Sequence, residues 1–285
     1  MSLRHILSCL LLSAGLIATS SPLRAQGKME VEPSRFQREA VVVGVGVLPT
    51  CLDTYLSPNR YVGLLADIGL EQWKCSRWGD GRLYAQWFSH TTLGITSGSG
   101  SSSEMLAMED LSYAMPWQCV DTKHFRLYAG GEFQARLGGV WNPRNSNNPA
   151  NAKAGTHLGG MAMAEFRYHL GKRPVRSSVT FDMPLVGAFF SPEYTESYYE
   201  LFYVGGTSPC IHLATPANCL SGRGRVQTDI TLRGSILRLS LIEDNYRWQT
   251  ATNRYALHSY SLGVGFVFNS YRIRPNENAA SHLPY

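Results

Sequence analysis

The stretch FRLYAGGEFQARLG (residues 125–138) alternates between two kinds of side chain for more than a dozen residues. Phe125, Leu127, Ala129, Phe133, Ala135 and Leu137 share one face; Arg126, Tyr128, Glu132, Gln134 and Arg136 share the other. A period of two marks a β-strand, because successive side chains leave the backbone on opposite sides. Its length narrows the choice further. Strands of soluble sheets run about five or six residues, whereas a tilted strand crossing a bilayer needs about ten.

The pattern recurs. Residues 156–168 set Leu158, Ala162, Ala164 and Phe166 against His157, Met161, Glu165 and Arg167. Residues 62–72 oppose Val62, Leu64, Ala66, Ile68 and Leu70 to Asp67 and Glu71. Residues 255–273 oppose Tyr260, Leu262, Val264, Phe266 and Phe268 to Ser259, Ser261, Gly263, Gly265 and Asn269. Residues 225–232 alternate Arg225, Gln227 and Asp229 with Val226 and Ile230. Further strands are predicted over residues 41–48, 83–92, 105–115, 175–188 and 235–243, which makes ten. Of these, residues 105–115 alternate poorly, and Pro184 removes a ladder donor, which predicts a bulge, an edge or a strand end.

The connections carry a second rhythm. The first four are TCLDTYLSPNR, KCSRWGDG, TSGSGSSSE and QCVDTKH. From the fifth onward long and short alternate: NPRNSNNPANAKAG (residues 142–155), GKRP (171–174), some thirty residues from 191 to 224, RG (233–234) and DNYRWQTATNR (244–254). Outer-membrane barrels have short turns at the periplasmic end, longer loops outside and an even strand number. The expected fold is therefore all-β, an antiparallel up-and-down transmembrane β-barrel of about ten strands. A soluble β-sandwich is the alternative, since alternation alone does not separate lipid outside from core inside. The polar face favours the barrel. It holds Gly, Ser and charges of both signs, with Arg126, Arg136, Arg167, Arg176, Arg225 and Arg238 against Glu132, Glu165, Asp182 and Asp229. Such a lumen is filled by paired charges and is not a wide channel.

Arg4, His5 and the apolar run ILSCLLLSAGLIA (residues 6–18) read as a signal peptide cleaved after Ala25. No later window holds about 18 consecutive apolar residues, so no spanning helix is expected. The organisation read from this is a signal peptide (1–25), a periplasmic lead (26–38), a barrel (39–274) and a tail (275–285). The expected location is the outer membrane, with the periplasm as the alternative for a sandwich. The partners this implies are outer-membrane lipid and the barrel-insertion machinery. Charged residues make up 16% of the chain, below the quarter or so usual in soluble domains. The formal charge of +5 falls to +3 without Arg4 and Arg24, and no basic cluster alternates with aromatics, so nucleic acid is not a partner.

Beyond the leader, Cys51, Cys75, Cys119, Cys210 and Cys219 remain. Cys210 and Cys219 flank a loop short enough to close as a disulfide, which an exported chain permits. There is no CxxC pair and no zinc-ligand spacing. GVGVLP (residues 44–49) lacks the third glycine of a dinucleotide fingerprint, so Gly44 and Gly46 read as small inward-facing residues and no cofactor is expected.

LDTYLSP (52–58), RNSNNPANAKA (144–154), SPEYTESYYELFYVGG (191–206) and HSYSLGVGFVFNSYRIR (258–274) together resemble an uncharacterised family of exported proteins from Bacteroides-type bacteria, known only as a domain of unknown function. The resemblance spans residues 41–274 and implies an outer-membrane β-barrel. It brings no substrate, cofactor or catalytic residue. The tail PNENAASHLPY departs from barrels that end on the aromatic of their last strand.

The densest polar-aromatic cluster is Glu193, Tyr194, Glu196, Tyr198, Tyr199, Glu200 and Phe202. Neighbouring carboxylates can hold a cation or act as acid and base on a sugar. The plainer reading is a loop folded over the barrel mouth, or an interfacial aromatic girdle. Arg144, Asn145, Asn147 and Asn148 suit hydrogen bonding to a glycan or protein, or simply supply Asx-turns. His90, His157, His169 and His258 lack the combined Ser and Asn arrangement nearby in sequence that a lipid hydrolase needs. The function expected is a narrow, closed scaffold with outward binding loops and no enzymatic activity. The alternatives are a small selective pore and an envelope lipid or glycan hydrolase.

Overall fold

The computed structural model describes residues 36–76, 78–99, 102–145, 148–194, 197–204 and 209–271. The expected signal peptide, most of the expected lead, the expected tail, Asn147 and Glu196 lie outside these residues. Ten long antiparallel strands form a closed ring. They are β1 (Phe36–Asp53), β2 (Ser57–Cys75), β3 (Tyr84–Ser97), β4 (Ser103–Asp121), β5 (Phe125–Trp141), β6 (Ala150–Leu170), β7 (Arg173–Phe190), β9 (Cys219–Thr231), β10 (Ile236–Gln249) and β11 (Arg254–Tyr271). A four-residue strand, β8 (Ile211–Ala214), adds to the upper end of β7. Sequential neighbours pair around the ring, β7 passes directly to β9, and β1 pairs with β11 to close it. Closure removes the sandwich alternative.

Side chains alternate between wall and lumen as the sequence predicts. On β5, Tyr128, Glu132 and Arg136 are buried inside while Ala129, Phe133 and Leu137 are exposed outside. On β1, Gly44 faces inward because a Cβ there would lie 2.1 Å from Asp67 Oδ1. The core of this protein is the lumen itself. Its upper half packs Leu48, Tyr61, Phe189, Tyr246, Trp248 and Tyr255; its lower half packs Trp73, Tyr128, Met161 and Met163 against Tyr84.

Several connections are shorter than the sequence suggests. The first, fifth and ninth shrink to residues 54–56, 142–149 and 250–253, because Cys51, Asp53, Asn151, Lys153, Tyr246, Trp248 and Tyr255 continue the strands and bury their side chains in the upper lumen. β4 differs too, because its hydrophobicity alternates poorly while its burial alternates from Glu104 to Gln118. The lumen accepts Leu106, Met108 and Ala114 there, and the outer wall carries Glu109. Pro184 behaves as its missing donor requires. The β6–β7 register shifts beside it, and β7–β9 pairing ends at Asp182. At the opposite end, the two-residue turn after β6 relies on Gly171 at φ 63°.

Candidate functional site: the capped, ion-paired lumen

The connections at residues 142–149 and 191–218 lie at the end of the barrel opposite the Gly171 turn, and the segment between β7 and β9 packs over this mouth. It contains a short helical stretch ending in Glu200–Val204. Tyr198 pins it: its hydroxyl donates to Asn151 Oδ1 at 2.8 Å and accepts the Ala152 N–H at 2.7 Å. Its ring meets Tyr55 edge-on at 5.9 Å and Phe190 at 6.3 Å. Asn253 Nδ2 donates to the Pro192 carbonyl, and the Thr252 hydroxyl donates to Glu193. The segment thus ties β6, the β1–β2 turn and the β10–β11 turn together. Burial, then the Asp53 and Glu200 carboxylates, push the Tyr55 phenol up to about 12. Burial likewise raises Tyr198.

Beneath the cap lies a chain of ion pairs. Asn151 Nδ2 donates to both Asp53 oxygens at 2.9 Å, and Lys153 Nζ sits 2.8 Å from the same carboxylate. The Lys153 ammonium also lies 4.4 Å from the Tyr255 ring and 4.9 Å from the Trp248 ring, where the ring quadrupoles stabilise a cation. Asn142 donates to Glu104 at 3.2 Å and to the Tyr61 hydroxyl at 3.3 Å.

Midway down, Arg136 holds Asp110 with two nitrogens and reaches Asp244 at 2.6 Å, while Arg223 lies 3.0 and 3.3 Å from the same two acids. A small cavity of about 20 Å³ lies here, lined by Gln134, Arg136, His157, Ser221, Arg223 and Tyr246 among others. That is room for about one water. Lower still, Arg238 grips Asp229 at 2.7 and 2.9 Å and also bonds Glu71; Arg225 meets Asp182 at 3.0 Å. At the far end Arg176 meets Glu165 at 2.6 Å, and Arg126 and Arg167 share Asp121. Buried charges this close are stable only as pairs, because an isolated ion loses its hydration without compensation.

The six arginines and four acids read from the sequence all face inward or line the lower mouth, but the balance differs from that count. Arg38, Arg223 and Lys153 join the cations, and Asp53, Asp67, Glu71, Glu104, Asp110 and Asp244 join the acids. No group of three His, Cys, Asp or Glu side chains suited to a metal occurs among the described residues.

The loop candidates separate. Asn145 Nδ2 donates to the Leu56 carbonyl at 3.1 Å, and its Oδ1 accepts the Asn148 N–H at 3.1 Å. Asn142 Oδ1 accepts the Arg144 N–H at 3.1 Å. These are Asx-turns, so Asn145 and Asn148 shape the loop. Glu193 is bound to Thr252, and Glu200 accepts the Ser197 N–H and hydroxyl at 2.7 and 2.9 Å. Tyr194, Tyr199, Phe202 and Tyr203 remain exposed, with Tyr199 and Tyr203 stacked at 5.4 Å. The expected Cys210–Cys219 disulfide is not formed. Both are free thiols, and Cys219 turns into the lumen, 3.6 Å from His157 Nε2. Asp53, Asn151 and Lys153 were missed. Their signal is the NAK alternation inside a stretch dominated by turn residues.

The outer surface completes the geometry. Val45, Leu64, Ile95, Leu137 and Leu262 are 67–69% exposed, and Trp87, Tyr113, Trp117, Phe166, Tyr168, Phe266 and Phe268 also point outward. The chain is thus a closed ten-stranded antiparallel barrel with an apolar exterior, a lumen packed with ion pairs and a cap over one mouth.

It belongs to the DUF3316 family, proteins of unknown function, whose profile matches residues 5–277. No curated protein matches it in sequence. Among solved structures it is similar to the transport unit of the autotransporter AIDA-I from Escherichia coli (TM-score 0.42, 7% identity, covering 93% of this chain and 97% of that one). It is also similar to the translocator domain of the autotransporter NalP from Neisseria meningitidis (0.36, 11%, 95% and 95%). A third is the COG4313 outer membrane channel from Pseudomonas putida F1 (0.35, 10%, 87% and 100%). At such scores the barrel assignment rests on this chain's own strand pairing.

Proposed function

We propose that this chain is an outer-membrane β-barrel that is closed to solutes and presents a binding surface on its outward cap. The observation that carries the reading is the inversion of its two faces: large aliphatic side chains are exposed around the wall, while Arg225, Arg238, Lys153 and Asp53 are buried inside it. That inversion suits hydrocarbon outside, since a closed barrel leaves no unpaired strand edge in lipid. The filled lumen supports a scaffold over a pore. The outward aromatics Tyr194, Tyr199, Phe202 and Tyr203 are the surface offered to a glycan or protein ligand, because aromatic side chains dominate recognition patches. Glu193 is engaged by Thr252 and Glu200 by Ser197, so these two cap carboxylates serve to hold the loop. Export by the N-terminal leader and a Bacteroides-type source belong to the same reading.

The test uses intact cells. A protease site inserted between residues 145 and 148 should be cut from outside, and one inserted at residues 171–172 should be protected. The protein should sediment with outer membranes and shift in gel mobility on boiling. Recovery in the soluble periplasm without that shift contradicts the reading.

A further inference from the structure

The outer wall carries a feature that neither cap nor lumen uses. Side by side, β9, β10, β11 and β1 form a groove of about 690 Å³ lined by Val43, Val45, Val226, Leu239, Leu262 and Val264. Strand register places a polar cluster at its upper end. Leu241 pairs with Leu262, and the next outward pair along the same strands is Glu243 with Tyr260. Glu243 Oε1 lies 3.2 Å from His258 Nε2 and accepts the Tyr260 hydroxyl at 3.4 Å. The Glu243 and His258 side chains are 51% and 31% exposed. Gly224 stands beside Glu243 on β9, so no β9 side chain covers the carboxylate there.

An oriented carboxylate therefore sits where an apolar groove ends, on a face that the reading above places against lipid. Ionisable groups on such a face are costly and mark function when a partner of opposite charge meets them. We propose that this is a lipid-binding site: an acyl chain occupies the groove, and an ammonium head group pairs with Glu243. Charge complementarity selects the head group. An ammonium pairs with Glu243, whereas an anionic head group without one is repelled by it.

The inference rests on the membrane reading, and its test separates the two. The folded full-length protein is placed in nanodiscs of equal phosphatidylethanolamine and phosphatidylglycerol, released, and weighed with its retained lipid by native mass spectrometry. The expected result is preferential retention of phosphatidylethanolamine. Glu243→Gln should lower that preference about five-fold, the scale of one partly exposed ion pair. Leu241→Trp, which fills the groove, should abolish retention while leaving the boiling-dependent gel shift intact. Equal retention of both lipids, or a preference unchanged by Glu243→Gln, overturns the site. A lipid-free dimer that Leu241→Trp dissociates also overturns it, by assigning the groove to a second copy of the chain. Failure to enter nanodiscs at all contradicts the membrane reading instead.

Discussion

Arg136 on β5 and Asp244 on β10 meet inside the barrel, Nη2 to Oδ2 at 2.6 Å, although β6, β7 and β9 separate them around the wall. The pair works as a crossbar with Asp110 and Arg223. Removing one member of a buried pair strands its partner's charge, which costs about 3–5 kcal/mol. Arg136→Met should therefore lower the stability of the folded barrel by about that amount. Urea unfolding in lipid vesicles, followed by the fraction of gel-shifted protein, reads it directly. A variant as stable as wild type means the crossbar is solvated.

One hydroxyl makes two of the bonds that hold the cap. Tyr198→Phe removes both bonds to β6 while keeping the ring contacts with Tyr55 and Phe190. Each such bond is worth about 1 kcal/mol. Protease cleavage between residues 191 and 218 should accelerate about five-fold or more, with the barrel's gel shift unchanged. Unaltered cleavage means the cap is held elsewhere.

The same contacts set a pH limit. The Tyr55 phenol titrates near 12 in the folded protein against about 10 in an unfolded chain, and Tyr198 is raised as well. For a raised phenol the stability is fully present below pH 10 and is lost as pH rises through the folded value. Cap protection against proteolysis should therefore be level from about pH 6 to 9 and fall above about 10. Tyr198→Phe, having no phenol at that position, should show a shallower fall. A decline beginning below pH 8 points to a different group.

Ring closure is sensitive at Gly265. A Cβ on Gly265 would lie 1.9 Å from the Val41 carbonyl oxygen of β1, across the β1–β11 seam. Gly131, on the outer face of β5, has nothing within 4 Å of the same position. Gly265→Val should abolish the gel-shifted form, and Gly131→Val should leave it intact. Equal behaviour of the two variants argues against this packing at the seam.

Strand identity was legible because an apolar exterior and a charged interior give a simple period of two, as in FRLYAGGEFQARLG. Legibility failed where the lumen itself turns apolar. Leu106 and Met108 face inward on β4, and Trp248 and Tyr255 line the upper core, so hydrophobicity no longer reports which side a residue faces. The ends of β1 and β10 were hidden for the same reason. Tyr198 was singled out within an aromatic cluster, but its partner Asn151 lies 47 residues earlier, and no local pattern joins them. Cys219 shows the opposite failure. Sequence proximity suggested Cys210, while the strand's alternation turns the thiol toward His157.

Ion pairs inside the barrel close its lumen, and conductance is the property that reads this closure. Purified wild-type barrel, verified as folded by its gel shift, is reconstituted into a planar bilayer and recorded at steady voltage in salt. No resolvable open-state current is expected from wild type. A steady ohmic conductance from the wild-type barrel would contradict this closure and restore the pore.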